Sequence, residues 1–287
     1  MYKIAFLFLT LHNPNIPEIW DLYFKGNEKY FNIYIHPKFP EQVSWKRNNI
    51  IKNLKKTEWG FIVSAYMSLF KTALLDKENI KFITISESCL PIKPFKMLYE
   101  FIMNEKKQSF IKFTKISKYD YSARLNDNIK KKCSNLIKHY ARMCLSRYHV
   151  KQLFISENKQ KIKLFTKMHV GDEFFLSSIL TNNTIKYSKD FAITHDDWDY
   201  VINKRNEYNI KIKKLYEKQE SDNIDYSNEI LQLQKIRDDF SKNPKSITIV
   251  SSDDLDNIKN TSSFFYRKFT INSDIIQYYY NNTIIIN

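Results

Sequence analysis

The chain has 287 residues, enough for one large domain or two small ones, with 43% hydrophobic and 15% aromatic residues and a formal charge of +15. Its three glycines, Gly26, Gly60 and Gly171, are scattered, which excludes the Gly-rich dinucleotide fingerprint and the Gly-rich phosphate loop. Only seven of the 46 basic residues are Arg, and the lysines are interleaved with acids, so the charge reads as AT-rich codon bias plus a site that attracts phosphate, not as a nucleic-acid-binding face.

In chain order, Lys3–Thr10 is a short apolar run bounded by polar residues, which predicts a strand buried on both faces at the start of a parallel sheet. A short helix over 16–24, with Trp20 and Tyr23 inward, and a strand over 31–35 complete a βαβ unit. His36 and Lys38 follow that strand end, where a diphosphate or a base could be held; taken alone, each reads as a solvated surface residue. A further short strand is expected at 50–54. From Ile62, apolar residues recur at helical spacing (Ile62, Ala65, Tyr66, Leu69, Ala73), and 81–85 reads as a buried strand ending in Ser86-Glu87-Ser88. Ligands of open α/β sheets sit at the carboxyl ends of strands, so Ser86, Glu87 and Ser88 are a candidate site wall, although spacing alone favours an ordinary loop. Pro91 and Pro94 hold the chain extended before a helix at 95–103.

Residues 110–113 read as a strand, 115–127 as a polar loop beside the site and 129–139 as a basic helix. Ser146 is expected to cap a helix reaching about residue 155. In 166–180 (TKMHVGDEFFLSSIL), Gly171 permits a sharp turn and Asp172 is expected to cap a helix over 173–181. A carboxylate in such a first turn ordinarily serves the helix dipole; the sharper reading makes Glu173 a general base facing a cleft. Strands are expected at 185–187, 191–194 and 247–250, and a polar stretch runs from His195 to Asp199 around Trp198. Residues 204–242 are charged and free of Gly and Pro, which predicts a peripheral pair of helices broken near 221–225. Ser252 is expected to cap a helix at 253–259; 263–269 mixes aromatics with Arg267 and Lys268; the Tyr-rich tail is expected to pack on the core.

Cys89, Cys133 and Cys144 lack metal-ligand spacing and an even count for a disulfide framework, which points to a reducing compartment. The apolar run 4–11 falls far short of the roughly 20 residues of a membrane span and carries no charged leader. A cytoplasmic protein is the expectation, and a viral protein acting in a host cytoplasm fits it.

Several blocks fall in a telling order: KIAFLFLT (Lys3–Thr10), FNIYIHPK (31–38), EWG (58–60), ALLD (73–76), FITISESCLPI (82–92), ARMCLSR (141–147), VGDEFFLSSIL (170–180), DDW (196–198) and FFYRKF (264–269). In these blocks the chain resembles the core-2/I-branching glycosyltransferases, especially their plant-type relatives, over nearly its whole length except about 204–242. The resemblance implies a GT-A-like fold, a Rossmann-type α/β sandwich with a central, mostly parallel sheet. It would be a single domain over 1–287, with 204–242 as a helical insertion. It also implies an inverting glycosyltransferase that moves a sugar, GlcNAc or xylose-like, from a UDP-sugar to a hydroxyl of a glycan or glycoprotein, with no metal cofactor.

Under the resemblance, Glu173 falls on the family's base. Lys268 matches the lysine that neutralises the diphosphate, with Arg267 beside it, and the donor is expected across Thr10, His36 and Lys38. Ser86, Glu87, Ser88, Asp172, Asp197 and Trp198 are expected to wall the site or the acceptor side. Two departures stand out. Pro37 occupies a position where animal members have an acid, and the second basic residue expected shortly upstream of Lys268 has no clear counterpart. Three rival readings remain. One is a metal-dependent transferase using Asp197-Trp198-Asp199 or Asp254-Leu255-Asp256, both far later than the usual position. The second is a basic nucleic-acid-binding protein, and the third is a catalytically dead sugar-binding relative, against which the intact acidic block argues.

Overall fold

The computed structural model describes residues 1–286 apart from 48, 134, 241 and 242, so the end of the 204–242 excursion lies outside the described residues. In chain order the elements are β1 (Lys3–Thr10), α1 (Pro17–Phe24), β2 (Phe31–Pro37), α2 (Val63–Ala73), β3 (Asn79–Ser86), β4 (Leu90–Pro91) and α3 (Phe95–Met103). Next come β5 (Ser109–Ile111), β6 (Phe113–Thr114), α4 (Asp127–Lys132), β7 (Lys138–His139), β8 (Cys144–Ser146), α5 (Arg147–Leu153) and α6 (Ser156–Phe165). The last are β9 (Ser188–Asp190), β10 (Thr194–Asp196), α7 (Asp199–Asp222), α8 (Ser227–Asp239), α9 (Ser252–Asn260), β11 (Phe265–Arg267) and α10 (Ile276–Tyr280).

Among the described residues a six-stranded sheet runs in the order β2-β1-β3-β8-β5-β9, and three of its five pairings are parallel. β1 lies between β2 and β3, with Phe6 opposite Ile33 on one side and Ile83 on the other. Its side chains alternate between two cores. Ile4, Phe6 and Phe8 pack with α1, α3 and the C-terminal tail, while Ala5 and Leu7 pack with α2. All five are fully buried. Burying each large side chain contributes about 1.5–3 kcal/mol, which is why this run reads as a strand with no polar face. The chain leaves β1 to one side for β2 and crosses to the other side for β3. Right-handed crossovers then put α1 and α2 on opposite faces, and a crevice opens at the carboxyl ends of β1 and β3.

A smaller sheet, β10-β11-β4, closes over that edge, with Asp196 opposite Arg267 and Tyr266 opposite Leu90. The tail packs on the core as expected, through Ile275, Tyr279, Ile284 and Ile286, and the Tyr279 hydroxyl donates to the Pro91 carbonyl at 2.7 Å. α7 and α8 form the expected peripheral hairpin, broken at the left-handed Asn223 (φ 53°), with Val201, Ile212 and Ile230 as their buried positions. α7 starts five residues earlier than expected. No helix among the described residues is long and apolar enough to cross a membrane.

Several local expectations change. Residues 50–54 make a single bridge from Ile50 to Ile35. Pairing stops there because the Ser68 hydroxyl takes the Asn53 carbonyl and His36 Nε2 takes the Lys55 amide. The basic helix ends at Lys132, and Lys138–His139 instead pairs with β6. Residues 185–187 are one helical turn, and the strands fall at 188–190 and 194–196. Residue 247 makes only a bridge to Phe269. Ser251, not Ser252, caps α9, in a capping box with Asp254.

Candidate active site

A cluster of buried charge lies where the smaller sheet meets the carboxyl edge of the larger one. Asp196, almost fully buried at the end of β10, accepts from Arg267 Nη1 at 2.9 Å and from Arg142 Nη2 at 3.1 Å. Burial acts to raise its pKa, but the charges and hydrogen bonds of Arg142 and Arg267 win and hold the carboxyl below its usual range. The Nε of both arginines is buried without a hydrogen-bond partner. Lys268 follows on the same strand end, and its half-buried ammonium has no ion-pair partner among the described residues. Burial, then the Arg267 charge and, less strongly, Arg142, press the pKa of Lys268 down, while Glu87 opposes them. Arg142 and Arg267 share the Asp196 carboxylate, while the charges of Asp172 and Glu87 act on Arg142 and Lys268 respectively; the partly desolvated spot gathers three cations, an arrangement suited to an anion.

The strand-end residues converge on the same edge. Glu87 Oε2 accepts from the Leu11 amide at 2.6 Å, and the Ser88 carbonyl accepts from the Phe269 amide at 3.0 Å. Ser86 Oγ lies 3.4 Å from Ser88 Oγ and 3.1 Å from Cys89 Sγ. The Thr10 carbonyl accepts from the Lys38 amide at 2.9 Å, and the exposed Lys38 ammonium sits over the Phe39 ring. Thr10, Lys38, Ser86, Glu87, Ser88 and Lys268 thus share one edge. His36 does not join them. Its ring is fully buried, Nε2 accepts from the Lys55 amide at 2.8 Å, and burial lowers its pKa. It is neither a solvated residue nor a group facing the crevice, but a pin for the loop after β2.

The acidic block folds differently from its sequence pattern. Gly171–Glu173 and Phe175–Ser178 are two short 3₁₀ turns, not a helix over 173–181. Polar side chains take the groups a helix would use: Ser178 Oγ donates to the Phe175 carbonyl, Thr184 Oγ1 to the Ile179 carbonyl, and Ser177 Oγ exchanges bonds with Ile137. Gly171 is required here, because a Cβ would meet the Phe165 carbonyl oxygen at 2.1 Å. Val170, at a left-handed φ of 58°, donates to the Gly60 carbonyl at 2.7 Å and fixes the entry to the turn.

Asp172 is therefore not a helix cap. Its side chain is buried, with Oδ1 unpartnered, and burial followed by the Glu173 charge pushes its pKa up to about 6, against Arg142 and Arg124. Its folded pKa lies above the unfolded value, so the native carboxylate is costly above pH ~6 and neutral well below it. Asp172→Asn is expected to gain up to about 3 kcal/mol of stability at pH 8, an advantage that fades as pH falls from about 6 to about 4 and is gone below it. Urea unfolding at both pH values checks this, and an equal difference at the two pH values would refute it. Glu173 faces outward, its side chain 30% exposed, with Oε2 3.6 Å from Lys138 Nζ. Tyr140 is within electrostatic reach of both this turn and the cation cluster: burial first, then Asp196, raise its phenol pKa, Arg142 opposes, and Glu173 and Asp199 add smaller upward pushes.

The remaining expected wall residues serve α7. Asp197 Oδ1 accepts from the Tyr200 amide at 3.1 Å, and half-buried Trp198 heads the helix. Asp254 caps α9 and pairs with Lys245 Nζ at 2.6 Å. The leading Asp of each Asp-x-Asp triplet is thus engaged at a helix start. Lys245 meets Lys268 through its backbone, its carbonyl accepting from the Lys268 amide at 3.3 Å, while its ammonium is held by Asp254. Among the described residues no group of three or more His, Cys, Asp or Glu could hold a metal ion. Arg142, Asp196, Tyr140 and Lys138 were missed by sequence reasoning; the available signal was a charge inside an otherwise strand-like block, as in ARMCLSR.

Fold and site together define the class: a GT-A-like α/β protein with a cation-rich edge and a half-buried, outward carboxylate at Glu173. The chain belongs to the core-2/I-branching enzyme family, whose model matches residues 4–224. That match covers all of α7, reaching into the 204–242 stretch that the resemblance read from the sequence left out, and stops before Arg267 and Lys268, which that resemblance included. The chain is also similar to glycosyltransferase BC10 of Oryza sativa subsp. japonica, 30% identical over 112 residues, which make up 36% of this chain and 28% of that protein.

Proposed function

We propose that the protein is an inverting glycosyltransferase that moves a sugar, GlcNAc or xylose-like, from a UDP-sugar to a hydroxyl of a glycan or glycoprotein without a metal ion. The observation that supports this reading is an outward carboxylate, Glu173, and a cluster of three cations, Arg142, Arg267 and Lys268, with Tyr140 within electrostatic reach of Glu173, Asp196 and Arg142. Inverting transfer is a single in-line displacement. The acceptor oxygen bonds to the anomeric carbon as its proton passes to Glu173, and the bond to the diphosphate oxygen breaks with its electron pair leaving on the diphosphate. Fixed cations stabilise that leaving charge. The three cysteines are buried thiols and supply no nucleophile.

Arg142 and Arg267 are committed to Asp196, which leaves Lys268 as the cation of the cluster with no ion pair among the described residues, Glu87 acting on it only through its charge. A charge-assisted contact in such a site contributes about 1.5–3 kcal/mol, so Lys268→Ala is expected to weaken UDP binding roughly 10- to 100-fold. Calorimetric titration of UDP in the presence of EDTA measures it. Wild-type affinity in the variant removes Lys268 from the donor site; binding that appears only on adding Mn²⁺ favours the metal-dependent reading.

A further inference from the structure

We propose that Lys138 is the positioning residue of Glu173, and that it couples the base to the loop over 115–127; the inference rests on the reading of Glu173 as the base. Lys138 Nζ lies 2.9 Å from Asp120 Oδ2 and 3.6 Å from Glu173 Oε2, over the ring of Phe174. Its backbone is fixed on both sides. β7 pairs with β6, Thr114 opposite Lys138, and the next residue, buried His139, accepts the Leu176 amide and packs on Phe175. The root of Lys138 is therefore keyed to the segment that carries Glu173.

The stretch expected as a polar loop holds a helical turn, Asp120–Arg124; Asp120 is a buried carboxylate at its start, flanked by the exposed Tyr119 and Tyr121. Both its oxygens are engaged: Ser117 amide and hydroxyl and Lys138 on Oδ2, Arg124 Nη1 on Oδ1 at 3.0 Å. A charge-assisted N–H···O bond is about 2.7–2.9 Å long. Asp120 takes that bond, and Glu173 receives the ammonium's charge at a longer distance. The lysine thus orients the Glu173 carboxylate without occupying the lone pair that must accept the acceptor's proton. Arg124, Asp120, Lys138 and Glu173 form one ionic chain from the loop to the base.

The test is release of UDP by water from the UDP-sugar that the wild type hydrolyses fastest among those of N-acetylglucosamine, xylose, galactose and glucose. Lys138→Met is expected to lower kcat about tenfold or more with KM unchanged within about twofold, because misplacing a catalytic group costs rate rather than donor affinity. Lys138→Arg is expected to restore most of the rate. In a Glu173→Gln background, Lys138→Met should cause no further loss, since the two residues act as one unit. A rise in KM without a fall in kcat, no rescue by Arg, or the same proportional loss in both backgrounds overturns the proposal. Wild-type hydrolysis by Glu173→Gln, or none of the four sugars turned over by the wild type, overturns the underlying reading of the base instead. If Lys138→Met does not fold, the double variant Asp120→Asn/Lys138→Met removes the stranded carboxylate and gives the same readout.

Discussion

Glu173→Gln is expected to fold and to bind UDP as the wild type does, while losing sugar transfer by about 10²–10⁴-fold, the usual size of a general-base contribution. The fold tolerates the change because the side chain projects from a 3₁₀ turn and, among the described residues, pairs with Lys138 alone, at 3.6 Å; the backbone amide, not the carboxylate, makes the turn's bond to Val170. Gln keeps the shape and removes only the proton acceptor. Asp172 cannot stand in, because it is buried and its raised pKa reflects an environment that resists its charge. No helix dipole assists Glu173, since the helix expected there is absent, so its service as a base depends on exposure and on its neighbours. Turnover of both Glu173→Gln and Asp172→Asn against one acceptor decides the assignment: near-wild-type transfer by Glu173→Gln means the base lies elsewhere.

Asp196→Asn is expected to cost about 3–5 kcal/mol of stability, the usual penalty for removing one partner of a buried ionic group. Against a typical total of about 5–15 kcal/mol, that is a large fraction of what holds the domain folded. The substitution leaves Arg142 and Arg267 facing each other and Lys268, with both Nε groups already unpartnered. The pH dependence carries a definite sign. The folded pKa of Asp196 is depressed, so its contribution is present above the unfolded pKa near 3.8 and is lost as pH falls through the folded value. Urea midpoints from pH 7 down to acid should therefore fall for the wild type through a window in which the Asn variant loses less. Unchanged stability at pH 7 would show that the two arginines are solvated and that the cluster is not the buried unit described above.

Much of the scaffold was legible locally. β1, α1, β2, α2 and β3 follow from hydrophobic runs and helical spacing, because each is decided by its own side chains within a window of about a dozen residues. The acidic block misled for a local reason too: its spacing fits a helix, but serine and threonine hydroxyls bind the backbone groups that a helix needs. His36 was placed correctly at a strand end and wrongly in its orientation, since nothing in FNIYIHPK shows that the Lys55 amide awaits it across the turn.

By itself, then, the sequence determined the order of the elements from β1 to β3 and the strand-end position of Ser86 to Ser88, and it supplied the candidates for the two proposed chemistries, a carboxylate at 173 and cations at 267 and 268. Only the tertiary structure decided which charges meet. Arg142 and Arg267 reach Asp196 across 54 and 71 residues, and Lys138 reaches Asp120 across 18. Coulomb attraction and desolvation depend on distance in space and on burial, not on spacing along the chain, so no periodicity or motif can announce such partners.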